Sequence, residues 1–374
     1  MAPSTPKRLV LVGGGHSHAL VLKYWQNVRA GEVDLTLISD SPTTPYSGMV
    51  PGYMAGFYDR SACLINLADL CHRAGGNLII DRAIGLDLTH RFVRTNNHRV
   101  EFDLVSIDIG SSPWIPPEVN DPSVIPVKPI GEFLCHWHRI REINHPLTIG
   151  IVGGGAGGVE LAFAINRGLK QATIHLFHQG NCLLPGYNPW VQQMAWAKLG
   201  QRGIKVHLNS GVVGVANQVL TTRSGFRLGC DFVLWVTQGR GAPWLRSSGL
   251  ALDDRGYILV NPCLRSVSHA QVFAAGDIAT LVNCPLPKAG VVAVRQALPL
   301  YRNLRRALSC QPLQPFRPRS VYLSLIGTGD GRAIGAWGKW GAEGRWLWHL
   351  KDYIDRGFIK HPPDADAKHT ALAS

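Results

Sequence analysis

Glycines at 153, 155 and 158 stand between an apolar run, Ile149–Val152, and an apolar-periodic stretch that begins at Val159. This Gly-x-Gly-x-x-Gly spacing, after a strand and before a helix, is what a dinucleotide needs. Gly153 permits the tight turn, Gly155 lets backbone approach a pyrophosphate, and Gly158 lets the helix lie close to the strand. The helix start then turns unpaired N–H groups and a partial positive charge towards the phosphates. The chain opens with a second such unit: Leu9-Val10-Leu11-Val12, then Gly13-Gly14-Gly15-His16-Ser17-His18, then Ala19-Leu20-Val21-Leu22. The two turns are 140 residues apart. Two units imply one site for each of two dinucleotides.

The first unit departs from the pattern where His18 replaces the third glycine. Either its helix sits further off or the imidazole points away from the strand, so a structural role and a ligand role are both open. The next strand, Asp34–Ile38, runs into Ser39-Asp40, and Asp40 is in reach of an adenosine ribose. The corresponding strand of the second unit, Ala172–Phe177, ends in His178-Gln179 and carries no carboxylate. A carboxylate there would favour the free 2′-hydroxyl of NAD and repel the extra phosphate of NADP, so its absence, with His178 nearby, tilts the reading towards NADPH.

The duplication extends to the strands that close each unit. Phe102–Ile109 runs into Gly110-Ser111-Ser112-Pro113, and Cys230–Val236 runs into Thr237-Gln238-Gly239. Ser111 and Gly239 thereby stand at ligand-facing turns. Gln271–Ala275 is a further buried strand ending in Gly276-Asp277. Downstream, Pro287-Lys288-Ala289-Gly290 opens an amphipathic helix whose start attracts anions, with Lys288 as an added point charge. The loop Thr44–Gly52 is rich in turn residues and follows a strand end, where ligands of doubly wound sheets sit. Leu64–Leu70 reads as a helix, Leu78–Ile80 as a strand and Pro113–Pro129 as a linker between the units.

At 374 residues the chain is long enough for two or three domains. Hydrophobic content of 45% with 17% charged residues is that of a globular protein. No apolar run reaches the roughly 18 residues that cross a bilayer. The N-terminus runs directly into a strand with no room for a cleavable leader, so a cytoplasmic location is expected. None of the eight cysteines makes a C-x2-C or C-x4-C pair, so neither a metal knuckle nor a redox disulfide motif is expected, and no metal site is assigned. The net charge of +13 suits anionic cofactors or anionic lipid; no nucleic-acid motif accompanies it, which argues against a nucleic-acid partner. From Tyr301 onward there are 12 Lys/Arg against 6 Asp/Glu and four of the eleven tryptophans, Trp337, Trp340, Trp346 and Trp348. Basic and aromatic residues together describe either an interfacial membrane contact or a subdomain that buries its rings.

Val12–His18, the Thr44–Gly52 loop, Ile107–Ser111, Pro287–Gly290, Gly327-Thr328-Gly329-Asp330-Gly331 and Trp348–Arg356 together resemble the pyridine nucleotide-disulfide oxidoreductases. The likeness is greatest to the branch of type II NADH dehydrogenases and sulfide:quinone reductases, and within it to the flavoproteins fused to selenophosphate synthetase (selenide, water dikinase). The resemblance implies an α/β protein of glutathione-reductase-like fold with two Rossmann-like domains and a small C-terminal α+β region. The expected division is 1–125 for the first part of an FAD domain, 126–252 for an NAD(P)H domain, 253–310 for the second part of the FAD domain, and 311–374 for the C-terminal subdomain. FAD is expected on the first unit and NAD(P)H on the second. Asp277 would approach the flavin ribityl or pyrophosphate, the helix after Ala289 its pyrimidine edge, and Glu160 the nicotinamide–flavin junction. Glu160 and Lys288 are the expected catalytic residues, as groups that tune charge. The Thr44–Gly52 loop lacks the cysteines of disulfide reductases, and Cys63 and Cys71, placed on one predicted helix, lack disulfide-motif spacing. Electrons would therefore pass directly from flavin to an external acceptor, with a quinone favoured. A selenium or sulfur substrate and a slow redox sensor are the alternatives, and a homodimer and a peripheral membrane contact through the tail are the expected assemblies.

Overall fold

The computed structural model describes residues 6–28, 32–237, 239–319 and 321–360. The first unit comprises β1 (Lys7–Val12), α1 (His16–Trp25), β2 (Val33–Ser39), β3 (Asn77–Ile80) and β4 (Leu104–Ile107). The second comprises β5 (Val124–Pro126), β6 (Leu147–Val152), α2 (Ala156–Gly168), β7 (Ala172–Phe177), α3 (Pro189–Gln201), β8 (Lys205–His207) and β9 (Phe232–Trp235). The chain then returns to the first unit through β10 (Val272–Ala274) and α4 (Gly290–Leu308). It ends in a three-stranded antiparallel sheet, β11 (Ser324–Gly327), β12 (Ala333–Trp337) and β13 (Trp340–Gly344), followed by α5 (Arg345–Lys360).

Both main sheets are parallel, in the order β10-β4-β1-β2-β3 and β5-β9-β6-β7-β8. Their central strands are buried over four consecutive residues, Leu9–Val12 and Ile149–Val152, as expected where helices cover both faces of a sheet. Helix α1 is buried nearly all round, because α4 covers the side turned away from its sheet. The two Rossmann-like units and the α/β class agree with the sequence reading.

Three local expectations are corrected. Leu64–Asn66 is a strand paired antiparallel with Thr43–Pro45, and the helix begins only at Leu67, where Asn66 Oδ1 accepts the Asp69 N–H at 3.0 Å. Asparagine is a strong helix cap, and here it shortens the predicted helix. Cys63 and Cys71 consequently lie on different elements, the turn Arg60–Cys63 and the helix Leu67–Arg73. The proline-rich stretch 113–129 is more than a linker, since Val124–Pro126 adds an edge strand beside β9. At its start Ser112–Pro113 pairs antiparallel with Gly239–Arg240, which clamps the ends of the two closing strands together.

The tail's tryptophans divide into one that is core and three that are exposed. Trp348 is 9% exposed, with Leu347 and Phe358 beside it in the core, whereas Trp337, Trp340 and Trp346 are 59%, 82% and 60% exposed. No helix among the described residues is long and apolar enough to cross a membrane.

Candidate functional site

The open ends of both parallel sheets, the crossover clamp and α5 enclose one continuous cavity of about 3500 Å³. That is several times the volume of an ordinary small-molecule pocket. Of the residues expected at cofactors, Gly13, Gly15, Asp40, Ser111, Gly239, Asp277 and Ala289 line it, as do Glu160 and Lys288.

The turn of the first unit is tightly closed on β4. Gly13 has φ +95°, and a Cβ on it would lie 2.4 Å from the Asp108 carbonyl oxygen. A Cβ on Gly15 would strike the Asp108 carboxylate at 2.2 Å. These glycines leave a smooth backbone cradle at the start of α1. His18 is fully buried, with Nδ1 2.8 Å from the Gly13 carbonyl and Nε2 2.8 Å from Ser106 Oγ. Both nitrogens are thus engaged inside the protein and none faces a ligand. The imidazole ties helix to strand where the second unit has glycine. Asp40 stands at the cavity edge, 61% exposed, with Arg82 at 3.7 Å.

In the second unit a Cβ on Gly158 would fall 1.8 Å from the Gly153 carbonyl oxygen, so no other residue fits this turn as built. Gly155 has open space where its side chain would be, which leaves the start of α2 approachable. His178 stands over the turn, its Nδ1 accepting the Gly154 N–H at 3.3 Å. Burial lowers its pKa, so at neutral pH it is an uncharged group just after β7.

Between the units the closing strands bring Ser111, Asp277 and a residue that sequence reasoning passed over, Lys128, into one cluster. Lys128 Nζ lies 2.6 Å from Asp277 Oδ2, and Ser111 Oγ donates to the same oxygen at 3.2 Å. Burial opposes ionisation of Asp277, but Lys128, the Ser111 hydroxyl and His16 together hold the carboxyl below its usual range. Gly276, just before it, has φ +70° and donates its N–H to Gln296 Oε1 at 2.7 Å. Lys288 Nζ donates to the Ala279 carbonyl at 2.6 Å and Thr280 Oγ1 at 2.9 Å, and sits 4.1 Å from the centre of the Tyr257 ring. Burial lowers its pKa to about 8. The N-terminus of α4, beginning after Ala289, meets the same cavity beside His16 and Ser47.

Glu160 is half-buried where the second unit meets the C-terminal sheet. Its Oε1 accepts the Gly327 N–H at 2.8 Å and lies 3.8 Å from Lys351 Nζ. Lys351 donates to the Gly48 carbonyl at 2.6 Å and to Asp355 Oδ2 at 2.7 Å, and Tyr46 OH donates to Asp355 Oδ1 at 3.1 Å. One lysine therefore serves two carboxylates. Burial raises the Glu160 pKa despite Lys351, while the two carboxylates hold Lys351 charged against its own burial. Phe358 stacks on Tyr46 at 4.4 Å and His16 closes the wall at 5.1 Å from Tyr46. Lys351 and Asp355 were readable as polar residues on the buried face of an otherwise amphipathic helix, in register with Leu347, Trp348 and Phe358. Cys63 is raised to about 11 and Cys71 is raised as well, both by burial, so neither presents a thiolate.

The chain belongs to the pyridine nucleotide-disulphide oxidoreductase family, whose model matches residues 6–297. It is 24% identical over 270 residues to ferroptosis suppressor protein 1 of Xenopus tropicalis, which covers 68% of this chain and 70% of that protein. It is 29% identical over 203 residues to the demethylphylloquinone reductase NdbB of a Synechocystis strain, covering 51% and 49% respectively. The structure of NDH2 from Plasmodium falciparum in complex with NADH superposes with a TM-score of 0.77, at 13% identity, over 96% of this chain and 99% of that one. As a member of this family, the chain is an FAD/NAD(P)-dependent oxidoreductase. The glycine turns, where a Cβ at Gly13, Gly15 or Gly158 would strike the protein's own backbone or Asp108, and the open start of α2 fit two dinucleotides. The likeness to selenophosphate-synthetase-fused flavoproteins gains no support from these relatives.

Proposed function

We propose that the protein carries electrons from NAD(P)H through FAD to a quinone-like acceptor without a redox-active disulfide. The observation that carries this reading is the Glu160–Lys351–Asp355–Tyr46 network, in which half-buried Glu160 meets three buried partners. It occupies the cavity wall at the junction of the units and the C-terminal sheet, and among the described residues Cys135 is the only cysteine lining that cavity. FAD, when bound, supplies hydride acceptance and onward electron transfer. The chain's part is positional and electrostatic. The starts of α1 and α2 hold the diphosphates, Ser111, Lys128 and Asp277 form a polar clamp between the units, and Lys288 with the N-terminus of α4 favours negative charge at the cavity end they face. Reducing a quinone to a quinol consumes protons as well as electrons. Glu160, with its raised pKa, and Lys351 are suited to hold and pass them.

The aromatic residues outside the core support a lipophilic acceptor. Trp337, Tyr353 and Ile354 are exposed and also line the mouth of the cavity. Trp190, on α3, is 60% exposed and extends the patch towards Trp340, with Asn188 Nδ2 donating to the Trp340 carbonyl at 3.1 Å. This surface is the proposed membrane contact. Steady-state assays with NADH or NADPH and a short-chain quinone test the reading. Cys63→Ser with Cys71→Ser should retain activity and Glu160→Gln should lose most of it; the reverse pattern would support a thiol-dependent substrate instead.

A further inference from the structure

The two units differ at one buried position that the duplication makes comparable. Asp108 follows β4 and Val236 follows β9. Each donates its N–H to the last residue of the central strand, Asp108 to the Val12 carbonyl at 2.8 Å and Val236 to the Val152 carbonyl at 2.9 Å. Each also presses its own carbonyl against the first glycine of the turn. The side chains then diverge. Val236 places a methyl 3.6 Å from where a Gly157 side chain would start. Asp108 places a carboxylate that accepts the Ser17 N–H at 2.9 Å and the His18 N–H at 3.2 Å, at 2% exposure.

The helix end that would serve a cofactor diphosphate in the first unit therefore already holds a protein anion on two of its donors. Among the described residues no lysine or arginine is paired with it. Lys128, from the crossover, is paired with Asp277, which adds a like charge from the Gly276–Ile278 turn. His16 and His18, from α1, are pushed down to about 4 by burial and stay neutral. Helix α4 contributes Gln296, which is engaged with Gly276. A diphosphate over the same helix start would put a second anion beside Asp108 in a water-poor site, where like charges disfavour double ionisation.

We propose that Asp108 carries a proton in the flavin-bound protein, so that FAD binding takes up one proton and flavin retention weakens as pH rises. This rests on FAD occupying the first unit. Burial, reinforced by Asp277 and opposed by the two N–H bonds, already holds the free carboxyl at about 7. A bound diphosphate moves it higher. Between the free and bound pKa values, the dissociation constant then rises by up to about tenfold per pH unit.

The test uses the holoprotein. Serial dilution at pH 6–9, followed by the fluorescence of released FAD, gives the dissociation constant. At pH 8 in weak buffer, an indicator dye counts protons set free with the flavin. The expected results are a rising dissociation constant above pH 7 and close to one proton per FAD in the wild type. Asp108→Asn should give a flat profile and no proton. Lys288 titrates in the same range, so Lys288→Met is the control and should still release the proton. No proton from the wild type overturns the proposal, a count that needs no variant to fold. An unchanged slope in Asp108→Asn, or loss of the proton in Lys288→Met, overturns it too. Gly15→Ala that keeps its flavin would instead show that FAD is not on the first unit.

Discussion

The two dinucleotide units share a strand, a glycine turn and a helix, yet they are finished differently. In the second unit Gly158 lets α2 touch the turn directly, Gly155 is open, and the strand after the turn ends in neutral Val236. In the first unit His18 replaces that close contact with two hydrogen bonds, Asp108 fills the space beside Gly15, and Asp40 reaches the cavity edge. The first turn is thus braced from inside by polar groups, while the second has a single side-chain hydrogen bond, from Gly154 to His178, and stands open at Gly155. A braced site suits a resident cofactor, and an open, approachable one suits a nucleotide that exchanges in each turnover. The lesson is that the glycine spacing defines the site class, and the residues packed behind the glycines define how the site is used.

The sharpest way to break the comparison is to place a side chain in each turn. Gly158→Val should abolish NAD(P)H-dependent bleaching of the flavin while leaving flavin bound. Gly15→Ala should yield protein without the flavin absorbance near 450 nm. Glu160→Gln tests the proton-holding network, with an expected loss of about 10²-fold or more in turnover with quinone and bound flavin retained. His18→Gly imposes the second unit's pattern on the first. It leaves the Ser106 hydroxyl and the Gly13 carbonyl without their partner, which should cost about 1–3 kcal/mol and lower the melting temperature by several degrees. Replacing Trp337, Trp340 and Trp346 by serine should leave the melting temperature nearly unchanged and reduce flotation with anionic liposomes. Trp348→Ser should instead destabilise the fold by about 3 kcal/mol or more, because that ring is core.

The duplication was legible because its signals are local. Each glycine turn, the strand before it and the helix after it fall within about twenty residues, and their chemistry is imposed by backbone geometry. The Pro-Lys-Ala-Gly turn and Gly276-Asp277 were legible for the same reason. What escaped is long-range. Lys128 meets Asp277 across 149 residues and Asp108 meets Ser17 across 91. Only the strand order of the folded sheets brings those partners together. The tail was ambiguous because its helix turns Trp348 inward and Trp346 outward, two residues apart. The helix expected from Leu64 failed because Asn66 begins it later, a local cap that prevails over the apolar run around it.

The central claim is electron flow from a nicotinamide on the second unit to a flavin on the first and onward to a quinone. Anaerobic stopped-flow absorbance near 450 nm, mixing the holoprotein with NADH or NADPH and then with a soluble quinone, tests it most directly. Rapid bleaching followed by quinone-dependent return of the absorbance is the predicted result. Bound flavin that neither nucleotide bleaches would contradict the account.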